Sequence, residues 1–160
     1  MFSVLQAFAQ WLEGSWVGIT VRTTGIYPFV QTLHFIGLSL WLGTNLVLDL
    51  RVLGVGNRKQ TPAELRNALI TWNWIAFCLV VLGGFLLFSG TASLYVVNPA
   101  FQFKLGLFVP LALIWHIFLQ AKIRVWGQAP DAPPVAKWSA LLEIVLWLGA
   151  VSAAVEIPSY

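Results

Sequence analysis

The sequence predicts an all-α membrane protein, a four-transmembrane-helix bundle with an N-terminal amphipathic interfacial helix. Three observations carry that prediction. Hydrophobic residues make up 59% of the chain and charged residues only 9%, whereas a soluble domain carries about a quarter charged residues to keep its surface in water. Four apolar runs approach the length that spans a hydrocarbon core, about 20 residues each. None of these runs shows the period-2 alternation of a porin strand. At 160 residues the chain fits one membrane domain, residues 1–160.

Residues 1–20 form the first element. Phe2, Leu5, Phe8, Ala9 and Leu12 recur at helical spacing with Gln6, Gln10 and Glu13 between them. This pattern fits a helix lying in the membrane surface and anchoring the first span. A signal peptide fits less well, because no positive charge precedes the apolar stretch. The spans follow at about 27–50, 68–88, 103–119 and 138–155. Arg51, Gly54, Gly56, Asn57, Arg58 and Lys59 close the first, Gly90 and Asn98-Pro99 separate the second from the third, and the proline-rich stretch 127–134 separates the third from the fourth. Pro110 predicts a kink in the third.

Basic residues orient the bundle. Arg51, Arg58, Lys59 and Arg66 flank the first connection and Lys122, Arg124 and Lys137 the third, while the opposite side holds only Arg22 and Lys104. The positive-inside rule puts the two basic loops in the cytoplasm and both termini outside, as expected of a bacterial inner-membrane protein. Trp16, Trp126 and Trp138 stand where interfacial anchors belong. The basic loops are short and serve orientation, so nucleic acid is not an expected partner. Cys78 is the single cysteine, which excludes an internal disulfide and a cysteine cage. No phosphate-cradling glycine loop, metalloprotease motif or serine–histidine–acid set is present, and no catalytic residues are assigned.

Polar residues inside spanning helices are costly and are therefore candidate functional groups. In the first span, Gln31, His34, Trp41, Asn45 and Asp49 fall within about a 90° arc of an ideal helix. Span three carries Lys104 and His116, with Gln120 one turn beyond, and spans two and four carry Asn73 and Glu143. Counting about 1.5 Å per residue gives two polar levels. An outer level holds His34 and Lys104; an inner one holds His116, Glu143, Asn73 and Asn45. Two inward histidines fit b-type haem, whose iron takes imidazole ligands, and Gly37 and Ser39 would leave room for a macrocycle. A difference in depth of roughly 10 Å strains a haem shared by His34 and His116. Structural bonding of His116 to Glu143, or proton or metal handling, are the other readings of the same residues. Ser39 with Gly43, and Gly149 with Ala153, have the small-xxx-small spacing of close helix contacts. Trp72 and Trp74 mark packing near the inner interface.

The stretch Gln31-Thr-Leu-His-Phe-Ile-Gly-Leu-Ser-Leu-Trp-Leu-Gly43, with Asp49-Leu-Arg51-Val-Leu-Gly54, resembles a family of uncharacterised bacterial four-span membrane proteins. His34, Trp41 and Gly43 are more distantly similar to the copper-resistance protein D family and to HemJ-type protoporphyrinogen oxidases, and Phe103-Lys104-Leu105 with His116 is similar to their lysine-bearing span. That resemblance implies His34 as a haem or metal ligand and Lys104 as its partner. The ending Glu156-Ile-Pro-Ser-Tyr160 departs from the family's more basic one. With Met1 as the single methionine and two histidines, the chain lacks the residues of a copper path. The expectation is a haem b protein of electron transfer, with His34, His116 and Lys104 as ligand candidates and Trp41 and Gly37 beside them. It would work with other membrane or periplasmic redox subunits or by self-association. The alternatives are HemJ-like oxidation chemistry, or a non-redox assembly, structural or metal-handling subunit.

Overall fold

The structure, a computed structural model, describes residues 2–56 and 58–159. Met1, Asn57 and Tyr160 lie outside the described residues, as do the side chains at 2, 3 and 159. The chain runs through α1 (Phe2–Glu13), α2 (Trp16–Thr23), α3 (Tyr27–Val52), α4 (Pro62–Gly90), α5 (Ala92–Val97), α6 (Pro99–Phe103), a π-helical turn (Lys104–Phe108), α7 (Val109–Trp126) and α8 (Pro134–Val155), and closes on a short 3-10 turn. No strand occurs among the described residues. Four helical stretches, Tyr27–Val52, Pro62–Gly90, Pro99–Trp126 and Pro134–Val155, are long and apolar enough to cross a membrane.

These helices outrun the apolar runs read from the sequence, chiefly where charges lie. Hydropathy drops as soon as a helix leaves the hydrocarbon, but the backbone goes on to a proper cap. At α4 the cap is Thr61, whose hydroxyl accepts from the Glu64 N–H while the Glu64 carboxylate takes the Thr61 N–H, a reciprocal capping box. Pro62 and Pro134 occupy the first turns of α4 and α8, where a missing N–H costs nothing.

α3 and α4 form the most extensive pair. Gly37 lets their backbones approach: a Cβ there would stand 2.8 Å from the Leu79 Cβ. Gly83 does the same from the other side, 2.8 Å from the Cβ of His34. This corrects the expectation that Gly37 leaves room for a macrocycle, since α4 fills that room. α7 packs on α8, and the predicted disturbance at Pro110 takes a definite form. The Val109 N–H reaches back to the Lys104 carbonyl, a π-type bond that widens the turn just ahead of the proline. Phe108 of this turn packs where a Gly149 Cβ would be, 2.5 Å from its Cε1. Gly149 thus serves an internal contact, while Ser39 and Gly43 remain on the lipid-facing side of α3.

The N-terminal segment breaks at Gly14-Ser15 into two helices. Ser15 caps α2 through its side chain. Ala9 and Leu12 of α1 bury against Ala92, Phe88 and Val96. The Glu13 carboxylate accepts from the Ser93 N–H at 2.7 Å and the Ser93 hydroxyl at 2.8 Å. The segment is therefore tied to the α4–α5 corner at the end of the bundle that carries both termini. At the basic end, two arginines read above as orientation charges are buried staples. Arg51 donates from Nε to the Gln60 carbonyl and from Nη2 to that of Pro130, joining both loops. Arg66 donates from Nε to the Gln120 carbonyl at 2.8 Å. Leu48, Val52, Leu119 and Ile123 are buried in the same half of the bundle, and these bonds tie the loops of the basic end to it.

Candidate functional site

All four spans contribute one polar side chain at a common depth in the half of the bundle nearer the basic end: Asn45 from α3, Asn73 from α4, His116 from α7 and Glu143 from α8. All four are buried. Their hydrogen bonds form a chain whose direction is set at one end. The Thr44 hydroxyl donates to the Leu40 carbonyl at 2.8 Å, as a helical threonine does. Its oxygen is then an acceptor and takes one N–H of the Asn73 amide at 2.8 Å. The other N–H of that amide goes to the Asn45 Oδ1. Asn73 Oδ1 is left to accept, and it faces His116 Nε2 at 3.1 Å. His116 therefore carries a proton on Nε2. On its other side Nδ1 stands 2.6 Å from Glu143 Oε1, with His116 0% and Glu143 1% exposed. One further proton lies between these two atoms, making either an imidazolium–carboxylate or an imidazole–carboxylic acid pair.

The surroundings differ along the bundle axis. One helical turn toward the termini end from Asn45, Asn73 and Glu143 stand Trp41, Phe77 and Trp147. Trp41, 1% exposed, has its ring centroid 4.7 Å from that of His116, 4.8 Å from Phe77 and 5.5 Å from Trp147. Trp74 closes the cluster at 5.9 Å from both Trp41 and His116. One turn the other way from Asn45, His116 and Glu143 stand Asp49, Gln120 and Ser139, all buried. Asp49 is near enough to Glu143 for their charges to interact. Buried atoms without a hydrogen-bond partner lie at the centre (Glu143 Oε2, Asn45 Nδ2), on this side of it (Gln120 Oε1) and in the aromatic layer (Trp41 Nε1). Unsatisfied polar atoms at such density are the usual setting of internal water.

The outer level is built differently. His34 is half-buried between α3 and α4, its Cε1 3.2 Å from where a Gly84 Cβ would be. Its Nδ1–H donates to the Val80 carbonyl at 3.0 Å. Lys104, half-buried in the π turn, is close enough to His34 for its charge to be felt there. Gln31 lies a turn further out and is half-buried. The structure thus brings Asn45, Asn73, His116, Glu143 and Asp49 together and keeps His34 and Lys104 apart from them.

Two expected ligand-site residues change roles. His116 has both ring nitrogens hydrogen-bonded, so it offers no lone pair to iron as arranged. Trp41, read with His34, instead packs on His116. Thr44, Phe77 and Trp147 went unread as site residues. The signal for the aromatic pair was their spacing four residues from Asn73 and Glu143; Thr44 had none, because mid-helix threonine is common. Among the described residues no group of three or more His, Cys, Asp or Glu side chains is placed to hold a metal ion.

Residues 8–157 match the family described as "Family of unknown function (DUF6644)". No curated protein and no solved structure matches the chain, so similarity to the copper-resistance D or HemJ families finds no support there.

Proposed function

Because the chain belongs to that family, whose function is unknown, its work has to be read from its own residues, and we propose that it is a proton-handling membrane protein. In this proposal the chain lies in a bacterial inner membrane with its basic loops in the cytoplasm and its termini outside. His116 and Glu143 hold and pass a proton inside the bundle. The observation that carries the proposal is the 2.6 Å contact between His116 Nδ1 and Glu143 Oε1, fully buried, with Nε2 already committed to Asn73. Ionisable groups at such depth in a spanning helix are expensive and characteristic of proton relays. A hydrogen bond between packing residues alone would not need two charged partners. The proton moves over two fixed atoms: gaining one at Glu143 leaves the carboxyl neutral and the imidazole protonated, and losing it restores the shared pair.

The expected result is measured by pH jump on the purified protein in detergent micelles. Wild type takes up protons that Glu143→Gln and His116→Phe do not. Identical uptake curves for all three would overturn the proposal.

A second reading, a b-type haem protein of electron transfer or HemJ-like oxidation, is favoured by one observation at the outer level. With its Nδ1–H given to the Val80 carbonyl, His34 keeps its lone pair on Nε2, the arrangement found in metal-ligating histidines. His34 would hold the group with Lys104 beside it, and bound haem would supply one-electron chemistry. On this reading, haem-sufficient expression yields a Soret band that His34→Ala abolishes and His116→Phe leaves in place. A colourless wild-type protein would sink it.

A further inference from the structure

The proton site is not symmetric across the membrane. Resting on the proton reading above, we infer that the His116–Glu143 pair exchanges protons with the basic end of the bundle only, through Asp49, and is plugged toward the termini end by Trp41, Phe77 and Trp147.

The helical register makes the argument. On three helices the residue one turn toward the termini end of a centre residue is a large aromatic: Trp41 from Asn45, Phe77 from Asn73, Trp147 from Glu143. The Phe77 and Trp147 rings both pack on Trp41, with centroids 4.8 Å and 5.5 Å from its own, and Trp41 packs on His116. A layer of contacting rings offers no relay of acceptors, since indole N–H groups donate only. One turn the other way α3, α7 and α8 carry Asp49, Gln120 and Ser139, each with a proton acceptor, while α4 carries Leu69. The orphaned Glu143 Oε2 and Gln120 Oε1 are both acceptors in this region, and Asp49 is the carboxyl whose charge reaches Glu143.

The charged groups that face the pair are few. α3 supplies Asp49. α4 supplies Arg66, whose Nε is held by the Gln120 carbonyl. α7 and α8 add Lys122, Arg124 and Lys137 only at the basic rim. The step is a transfer without redox change. A hydronium ion at the basic end gives a proton to the Asp49 carboxylate and becomes water, Asp49 passes the proton through intervening water to Glu143 Oε2, and the Asp49 carboxylate is restored.

The test uses the full chain in lipid vesicles, with insertion direction established by protease cleavage of the loop before Thr61. The infrared carboxyl band that disappears in Glu143→Gln is followed after a pH step on one side, within the lifetime of the gradient. The band is expected to respond to the step at the basic end and to stay still for the step at the termini end. In Asp49→Asn the response at the basic end is expected to slow at least tenfold. Equal responses from both sides would overturn the one-sided path while leaving the proton reading intact. A band silent to both would overturn the two together. An unchanged rate in Asp49→Asn would remove Asp49 from the path, and with it the inference as stated.

Discussion

Glu143→Leu is expected to destabilise the folded bundle by about 3–5 kcal/mol, the usual loss when one partner of a buried charged pair is removed. The leucine fills much the same volume, so the loss comes from the partner left behind. His116 would face methyl groups from Nδ1 while its Nε2 stays bound to Asn73. The ring is 0% exposed, so bulk solvent does not touch it. Glu143→Gln should behave otherwise. Its amide N–H can donate to a bare Nδ1, which keeps one neutral hydrogen bond worth about 1 kcal/mol and removes the exchangeable proton. The predicted order of unfolding midpoints in detergent is therefore wild type, then Gln slightly below, then Leu far below. Equal stability in all three would mean that the pair is neither a charge nor a bond of consequence, and the centre would reduce to packing.

Much of this centre was legible beforehand, and the reason is geometric. An α-helix has a fixed rise, so counting residues from each apolar boundary placed Asn45, Asn73, His116 and Glu143 at one depth, and His34 with Lys104 at another. That arithmetic needs no knowledge of which helices touch. Rotation about each helix axis is a different matter. His34 and Trp41 lie on one arc of α3, yet His34 meets the α4 backbone at Val80 and Gly83 while Trp41 packs, tilted, on α7's His116. A tight crossing at Gly37 and Gly83 decides that split, and a glycine in the sequence does not say whether a macrocycle or a neighbouring backbone fills the space it leaves.

Charges at the basic end misled in a similar way. Arg51 and Arg66 were counted toward orientation, which is what a loop arginine does on average. Both are buried and spend their N–H groups on the carbonyls of Gln60, Pro130 and Gln120. The Gln60 and Pro130 carbonyls lie in loops, where the backbone does not satisfy itself, and that of Gln120 lies within α7. Only the three-dimensional meeting of two loops reveals them. The π turn at Lys104–Phe108 is intermediate: Pro110 announced a disturbance, but whether the chain would kink or widen was set by Phe108 seating against Gly149.

The second large effect is expected at Trp41. Trp41→Ala should lower stability by about 3–5 kcal/mol, as large aromatic-to-alanine changes in cores do. The residue is 1% exposed and meets His116, Trp74, Phe77 and Trp147 at once, so the walls cannot collapse without disturbing the polar chain below. Trp41→Phe keeps a ring in the layer and removes the orphaned indole N–H; the smaller cavity is partly offset by the loss of an unsatisfied donor, and a cost well under that of alanine follows. Trp72→Ala serves as the control. That residue sits two positions before Trp74 on the same helix but is 65% exposed on the lipid face, and its loss should move the unfolding midpoint little. Alanine at 41 should also let pH at the termini end reach Glu143, a change that lost stability alone would not produce. A Trp41→Ala protein as stable as the Trp72→Ala control would show that the aromatic layer does not seal the centre.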